Sequence, residues 1–187
     1  MNVLISNSGT VSKPFLERIA LLHGDITMQD SDAIGIVVPQ NLDFKGSINE
    51  SVAAGCGYDL DSFILENVYK PRIGDVYALP AGDLPCKHIL LGIMPRYRTE
   101  FDMKDSDLAQ VVRKMMELTR CMLLKSVAFP PLASGSGMFA KPKSARLIIQ
   151  GITDRMEENI EDVRIVCDTP AVVEVFDRKL RVVGWGD

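Results

Sequence analysis

Two runs without a polar side chain, residues 33–38 and 89–93, constrain the possible folds of this chain more than any other feature. A strand that lacks a polar face must be covered on both sides, which is typical of a parallel sheet between two layers of helices. Further short runs rich in β-branched residues alternate with longer segments of helical period. The pattern predicts an α/β domain whose helices cover both faces of a central sheet.

The expected elements can be placed by periodicity and by end signals. Strands are predicted at residues 3–6, 18–22, 33–38, 76–79, 88–93, 126–130 and 163–167, with 180–185 as an added edge strand. Helices are predicted at residues 47–54, 107–124, 141–158 and 171–179. Asp107 is expected to cap the long central helix, Pro142 fits the first turn of the next, and Thr169 followed by Pro170 begins the last. Residues 96–106 are interpreted as a polar surface loop.

Length and composition predict one domain spanning residues 1–187, because a chain of this size with 47% apolar residues can bury about 70% of its unfolded surface. The net charge of −4 and the isoelectric point near 5.3 lack the excess of cations that binding to a nucleic-acid backbone requires. The apolar runs are too short to span a bilayer, and the N-terminus lacks the pattern of a signal peptide. We therefore expect a cytoplasmic protein without a membrane or nucleic-acid partner.

The four cysteines are far apart, with no C-x-x-C pair and no histidine at ligand spacing. This spacing predicts free thiols, most of them buried, rather than a metal site or a disulfide framework. His23 and His88 are the two histidines, and neither has a serine or cysteine nucleophile in a recognisable pattern around it. The sequence predicts no metal, no cofactor and no Ser–His–acid triad.

A loop of small residues follows the strand predicted at 126–130 and precedes the helix predicted from Lys141. The loop consists of Ser134, Gly135, Ser136, Gly137, Met138 and Phe139. A strand, a small-residue loop and a helix in this order turn backbone N–H groups toward one point, where a phosphate can bind. Glycines in such a turn also serve simply to reverse the chain. The loop therefore predicts an anion site, with chain reversal as the alternative.

Four segments occur in a particular order along the chain. They are His-Gly-Asp-Ile-Thr at residues 23–27, a buried strand from Asp32, a loop through Asn41 and Gly46 into a helix, and the loop at residues 134–139. Together they resemble the macro domain family of ADP-ribose-binding modules, over residues 22–179. The resemblance implies a three-layer α/β/α fold with a mixed central sheet. It also implies ADP-ribose or a related small nucleotide as the ligand, and an ADP-ribosylated protein as a further partner.

The resemblance assigns Asp25 to the exocyclic amine of adenine and the backbone N–H of Ile26 to a ring nitrogen. A carboxylate beyond a strand end suits that task, and the alternative is that Asp25 only caps a turn. Gly46 and the helix N-terminus at Ser47 would bind one phosphate, and the loop from Ser134 to Met138 the other. These residues form the expected ligand-binding set.

The family's hydrolytic members use an asparagine against the distal ribose, and the resemblance places Asn41 in that catalytic role. An ordinary loop asparagine is the alternative. Of the glycine run that such members carry next, only Gly46 remains, and Ser47 stands where the catalytic acid would be. Glu50, the nearest acid, follows about one helical turn later and is expected to be an exposed helix residue.

Two aromatic positions also bear on the ligand. Phe139 is expected to pack on the distal ribose, with a hydrophobic contact to the following helix as the alternative. Cys167 and Asp168 stand where many members stack an aromatic ring on adenine, a contact worth about 1–3 kcal/mol. The resemblance thus implies binding of ADP-ribose, with hydrolysis of an ADP-ribosyl, O-acyl-ADP-ribose or ADP-ribose phosphate bond as a second activity. A non-catalytic interaction module is the alternative.

Overall fold

The computed structural model describes residues 13–99, 102–135 and 138–186, so the strand predicted at 3–6 lies outside the described residues. The strands are β1 (Ile19–His23), β2 (Ala33–Pro39), β3 (Val76–Pro80), β4 (His88–Met94), β5 (Ser126–Phe129) and β6 (Asp162–Cys167). Within the described residues they form one sheet in the order β1-β6-β5-β2-β4-β3. All neighbouring pairs are parallel except β3 and β4, so the mixed central sheet is confirmed.

The helices cover both faces of this sheet. They are α1 (Ser47–Cys56), α2 (Leu60–Asn67), α3 (Asp105–Cys121), α4 (Lys141–Thr153) and α5 (Pro170–Val182). Helices α1 and α2 bury Val52 and Ile64 in one apolar cluster, whereas α3, α4 and α5 bury residues such as Val112, Ile148 and Phe176 in a second. The two clusters use opposite faces of the strands, which confirms the three-layer α/β/α fold.

The two apolar runs form the centre of the sheet. Strands β2 and β4 lie side by side and are almost entirely buried, because helices cover them on both faces. Glycines in these strands allow α3 to approach closely: a Cβ added at Gly92 would lie 2.4 Å from Val111 Cγ1, and one at Gly35 would lie 2.9 Å from Met115 Sδ. The helix layer is therefore packed directly against the strand backbones.

Some end signals are confirmed and others are wrong. The Thr169 hydroxyl accepts a hydrogen bond from the backbone N–H of Val172, and Pro142 lies in the first turn of α4, as predicted. Asp107 does not cap α3, because that helix begins two residues earlier and Lys104 occupies the cap position. The carboxylate of Asp107 instead accepts a hydrogen bond of 2.9 Å from the hydroxyl of Tyr97.

The predicted strand at residues 180–185 is also wrong, since α5 continues to Val182 and a turn follows. Its buried positions Val172, Phe176 and Leu180 keep a four-residue spacing that extends the helix. Trp185, within this turn, donates an indole hydrogen bond of 2.8 Å to the carbonyl of Ile19 in β1. Helix α4 ends at Thr153, five residues before the end predicted for it.

Helix α2 was not predicted. Asp59 caps it by accepting a hydrogen bond of 3.1 Å from the N–H of Ser62, and it buries only Leu60 and Ile64. A short helix with two buried positions has little periodicity to detect. Within the described ranges, no helix combines the length and the apolar character that crossing a bilayer demands.

Candidate functional site

The carboxyl ends of the five parallel strands lie at one edge of the sheet, and the loops that follow them meet there. Ligands of open α/β sheets bind at this edge. Strands β2 and β5 are direct neighbours, so the loop at residues 40–46 and the loop at residues 130–140 lie side by side. The segment that begins with Gly24 and Asp25 follows β1, two strands beyond β5. The fold therefore brings all three predicted loops to the same edge.

Asp25 is exposed and caps the 3-10 turn Ile26–Met28. Its Oδ1 accepts hydrogen bonds from the backbone N–H of Thr27 at 2.8 Å and from the Thr27 hydroxyl at 2.7 Å. Both bonds fall on the same oxygen, so among the described residues Oδ2 has no donor. The two roles considered for Asp25 are therefore compatible, since one oxygen holds the turn while the other is available to a ligand.

The loop between β2 and α1 is held by several local bonds. The N–H of Gln40 donates to the Met94 carbonyl at 2.9 Å, and the side-chain oxygen of exposed Asn41 accepts from the N–H of Asp43 at 3.2 Å. Leu42 has a φ of 61°, in the left-handed region that residues other than glycine rarely adopt. Backbone strain of this kind concentrates at functional sites.

Gly46 is the cap residue of α1, with φ 106° and ψ 152°, a conformation essentially restricted to glycine. No side chain caps this helix, so its first N–H groups face the carboxyl edge without a side-chain acceptor. Glu50 is exposed in the first turn, as predicted. The start of α1 thus offers backbone donors to an anion at the position expected for one phosphate.

The second loop leads from β5 into α4. Ser134 lies half-buried and donates through its hydroxyl to the Pro131 carbonyl at 2.9 Å, while Ser136 and Gly137 lie outside the described residues. The N–H of Met138 donates to the Gly135 carbonyl and the N–H of Phe139 to the Ala133 carbonyl, both at 3.0 Å. Because these two amides are engaged within the loop, an anion would have to use the amides earlier in it.

Gly135 differs from Gly46 in backbone conformation, because its φ is not in the left-handed region. At both positions an added Cβ would meet no atom of the described residues within 4 Å. Neither the backbone conformation of Gly135 nor its packing against the described residues requires a glycine. Open space beside a glycine in such a loop is where a ligand can approach the backbone closely.

Comparison with known proteins identifies the family. The family model of the macro domain matches residues 40–148, more than half of the chain. The chain belongs to the macro domain family. The macrodomain of Oceanobacillus iheyensis with ADP aligns with this macro domain at a TM-score of 0.77 and 20% identity, covering 97% of this chain and 93% of that one.

Two further proteins are similar to this macro domain. The Trypanosoma brucei macrodomain in complex with ADP-ribose aligns at a TM-score of 0.73 and 16% identity, covering 86% of this chain and 68% of that one. O-acetyl-ADP-ribose deacetylase 1 of Pantoea vagans is 24% identical over 157 residues, which is 81% of this chain and 92% of the relative. The structural likeness shows the fold, and the ligands and the activity are those of the proteins compared.

The Phe139 ring of this macro domain is 3% exposed and lies edge-on to Tyr97, with the ring centroids 5.7 Å apart. Met138, half-buried, packs against the same apolar cluster. Burial, together with the hydrogen bond to Asp107 and its charge, raises the pKa of Tyr97 well above its usual value. The burial of Phe139 leaves little of its ring exposed to a ribose, and its ring contact is with Tyr97, whereas the alternative considered was a contact with the following helix. The bond to Asp107 makes Tyr97 a hydrogen-bond donor rather than an acid or base.

At the β1 end of the edge, His23 Nε2 lies 3.1 Å from the carbonyl of Asp168, and the N–H of Gly24 donates to the Cys167 carbonyl at 2.9 Å. Burial raises the pKa of the Cys167 thiol to about 12, so it stays protonated at neutral pH. Among the described residues, no group of three His, Cys, Asp or Glu side chains converges as a set of metal ligands.

Sequence reasoning missed two residues that shape this macro domain's edge. Asn49 is 7% exposed, and its side-chain amide donates to the carbonyls of Val37 at 3.0 Å and Lys45 at 3.2 Å, which ties α1 to strand β2 and to the end of the loop between them. A polar residue at an inward position of a helix was the available signal. Tyr97 was placed in a polar surface loop, and nothing local in the sequence indicated its contact with Phe139.

Proposed function

We propose that this macro domain binds ADP-ribose or a closely related adenine nucleotide derivative at the carboxyl edge of its sheet. The observation that carries the proposal is the convergence of three loops at that edge, after β1, β2 and β5. Each supplies a different kind of group: a carboxylate oxygen, a helix N-terminus and a loop of small residues. The ADP and ADP-ribose complexes of proteins with the same fold support this choice of ligand.

The base is assigned to the β1 end. The Oδ2 atom of Asp25 is available to accept from the adenine amine, and the N–H of Ile26, first in its turn, makes no hydrogen bond within the described part of the chain. A donor beside an acceptor matches the edge of adenine that carries its amine and neighbouring ring nitrogen. The side chain beyond β6 is Asp168 rather than an aromatic ring, so we expect weaker base binding than stacking would provide.

The diphosphate is assigned to the middle of the edge, where the loops after β2 and β5 are neighbours. The uncapped start of α1 and the backbone beside Gly135 would each face one phosphate. Helix α4, after the second loop, also has no side-chain cap and no acidic residue in its first turn. Both helices follow neighbouring strands at the same edge of the sheet, and a helix N-terminus stabilises a negative charge.

Isothermal titration calorimetry with ADP-ribose tests this assignment. Asp25→Asn keeps an oxygen to cap the turn but loses the carboxylate that would accept from adenine, so we expect about tenfold weaker binding, near 1.4 kcal/mol. Asp61→Asn, an exposed position on α2, is the matched control and should bind as the wild type does. Absence of heat with wild-type protein at high micromolar concentration would contradict the proposal and favour a non-catalytic interaction module.

Hydrolysis of an O-acyl-ADP-ribose or ADP-ribosyl bond is a second candidate, favoured by the position of Asn41. Its side chain is exposed at the edge, held by the Asx turn to Asp43, and its amide nitrogen makes no hydrogen bond within the described residues. An amide fixed in this way can orient a water molecule toward the distal ribose. The deacetylase relative supports this reaction class.

Acetate release from O-acetyl-ADP-ribose tests the second candidate. We expect Asn41→Ala to abolish most turnover while ADP-ribose affinity, dominated by the base and the diphosphate, changes by less than about threefold. Turnover that Asn41→Ala leaves unchanged would contradict the catalytic role of Asn41. Binding without any turnover by the wild type would leave a binding module.

A further inference from the structure

Three segments meet beyond the carboxyl ends of β2 and β4, at the opposite end of the edge from Asp25. The N–H of Gln40 donates to the Met94 carbonyl at 2.9 Å, and its side-chain amide donates to the Pro71 carbonyl at 3.0 Å. The N–H of Gly74 donates to the Ile93 carbonyl at 2.8 Å. Residues 40–45, 70–75 and 95–98 therefore form one continuous surface next to the candidate cleft.

This surface is basic, although the chain as a whole is acidic. The three segments contain two carboxylates, Asp43 and Asp75, and five cations, so their charge is +3 against −4 for the chain; the cations are Lys45, Lys70, Arg72, Arg96 and Arg98. All five cations are exposed. We call Arg72, Arg96 and Arg98 the basic rim.

The described carboxylates near the basic rim have partners other than its guanidinium groups. Asp43 pairs with Lys45 at 3.5 Å, and Asp75 accepts from the backbone N–H of Arg72 at 2.9 Å and from the Tyr77 hydroxyl at 3.3 Å. Beyond Arg98, Asp102 accepts from the N–H of Thr99 and Asp107 from the hydroxyl of Tyr97. Within the described residues, no carboxylate forms an ion pair with any of the three guanidinium groups.

The contact between Tyr97 and Phe139 connects the rim to the cleft. Tyr97 is half-buried and fixed by its ring contact with Phe139 and by its bond to Asp107, whereas Arg96 and Arg98 on either side of it are exposed. Phe139 ends the loop that we assign to the diphosphate. With the base assigned to the β1 end and the diphosphate to the loops after β2 and β5, the distal ribose would lie toward β4, the strand that Arg96 and Arg98 follow.

Apolar side chains are exposed beside these cations. Tyr69 is 81% exposed and Ile73 is 47% exposed, and the Lys70 ammonium lies 5.3 Å from the centroid of the Tyr69 ring. A surface of guanidinium groups interleaved with apolar groups over three segments is larger than a single phosphate needs. It suits an extended polypeptide whose carboxylates bind the guanidinium groups and whose other side chains cover the apolar ones.

We propose that the basic rim binds an acidic peptide segment that carries the ADP-ribose group, so that this macro domain selects modified proteins by the charge around the modification. The inference rests on the proposed function, since ADP-ribose in the cleft would deliver the peptide to the rim. The ligand would then bind through two parts, the nucleotide in the cleft and the carboxylates on the rim.

Calorimetry with three probes tests the inference: free ADP-ribose, an Asp/Glu-rich peptide carrying ADP-ribose, and a peptide of neutral sequence carrying the same group. We expect the acidic peptide to bind wild-type protein about tenfold more tightly than the neutral one at low salt, with the difference shrinking as salt is raised. The variant R96Q/R98Q should reduce that difference to about twofold while leaving free ADP-ribose within about twofold of wild type.

Two further variants make the result specific. Arg120→Gln, an exposed cation in the last turn of α3, removes charge away from the rim and should keep the preference. R96K/R98K keeps both positive charges and should keep most of the preference for the acidic peptide. Since the two double variants change the same positions, a preference that R96K/R98K keeps and R96Q/R98Q loses is due to charge and not to folding. Equal affinity of the wild type for the two peptides would overturn the inference, as would tighter binding of a single-stranded RNA than of the acidic peptide.

An unmodified acidic peptide separates this inference from the proposed function. If free ADP-ribose gives no heat, the proposed function fails. In that case, weak binding of the unmodified peptide that R96Q/R98Q abolishes would still support the rim, and absence of such binding would overturn the rim as well. If free ADP-ribose binds but the acidic sequence adds nothing, only the rim is overturned.

Discussion

Two aspartates at opposite edges of the sheet, Asp32 and Asp25, differ in how much of their hydrogen-bonding capacity is used within the protein. The Asp32 side chain is 18% exposed, and its carboxylate accepts from the N–H groups of Lys125 at 2.8 Å and Ser126 at 3.3 Å and pairs with Lys87 at 3.1 Å. Asp25 is exposed, and only its Oδ1 is engaged among the described residues. The hydrogen-bonding capacity of Asp32 is used within the protein, whereas part of that of Asp25 is not.

The electrostatics follow the same division. Burial of Asp32 opposes its ionisation, yet the bonds from Lys125 and Lys87 and from the Ser126 backbone together hold the pKa of this carboxyl below its usual range. Asp32 also joins the starts of three strands, since its carbonyl accepts from the N–H of His88 at 3.0 Å. At the amino edge the polar groups of Asp32 are therefore engaged in hydrogen bonds within the protein. At the carboxyl edge, Asp25 and the start of α1 retain an acceptor and donors without a side-chain partner among the described residues.

A surface cavity of about 640 Å³ also lies at the amino edge, lined by residues that include Pro80, Cys86 and His88. Burial raises the pKa of the Cys86 thiol to about 11, so it is not a nucleophile at neutral pH. The lining is mostly apolar and lacks the converging polar groups found at the carboxyl edge. The proposed site at the carboxyl edge therefore rests on converging polar groups and not on cavity volume.

The largest expected effect is on stability, from Asp32→Ala. Removing the carboxylate leaves two backbone N–H groups without acceptors and Lys87 without a partner, which should lower the free energy of unfolding by about 2–4 kcal/mol. Urea denaturation measures the loss, and calorimetry should show ADP-ribose affinity unchanged at a temperature where the variant is folded. An Asp32→Ala protein of wild-type stability would contradict the structural role of Asp32 and with it the difference between the two edges.

The pH dependence of stability should reveal the same carboxylate. Lys13 and Arg113 likewise lower the pKa of Asp154, against the opposing effect of its burial. For Asp32 and Asp154 the folded-state pKa lies below the unfolded value near 3.8, so their contribution is complete above that pH and is lost as the pH falls through the folded-state values. Thermal melts of wild type from pH 6 to pH 3 should fall more steeply than those of Asp32→Ala.

Within the carboxyl edge, Gly46→Ala should cost about 1–3 kcal/mol of stability, because its backbone conformation is essentially closed to other residues. Urea denaturation provides the measurement. The result would sharpen the contrast by showing that an edge open to ligand still contains positions required by the backbone. A neutral Gly46→Ala would mean that the loop relaxes without loss.

The smallest stability effect is expected from Gly135→Ala, within about 0.5 kcal/mol, because the added methyl group would meet no atom of the described residues. ADP-ribose affinity should nevertheless fall by about threefold, near 0.7 kcal/mol, since the methyl group would occupy space assigned to a phosphate. Equal affinity of Gly135→Ala and wild type would remove the second loop from the proposed site.

Local patterns predicted much of the fold. The unbroken apolar runs became the central strands β2 and β4, and the helix predicted at residues 107–124 became α3, which begins two residues earlier and ends three residues earlier. Errors arose where local signals were weak or shared by two structures: α2 buries two residues, and the apolar end of α5 also fits a strand. Asp107 has the chemistry of a cap, but its position relative to Tyr97 determined its partner.

The sequence by itself determined the alternation of strands and helices apart from α2 and the end of α5, the buried strands and the three loops that carry Asp25, Gly46 and Gly135, because periodicity and turn chemistry are local properties. Only the tertiary structure decided which carboxylates are saturated and which side chains meet. The Asp32 carboxylate accepts hydrogen bonds from N–H groups 93 and 94 positions away along the chain, and Tyr97 contacts Phe139 from a different loop. Such contacts depend on which strands become neighbours, and sheet order is a property of the whole packed chain.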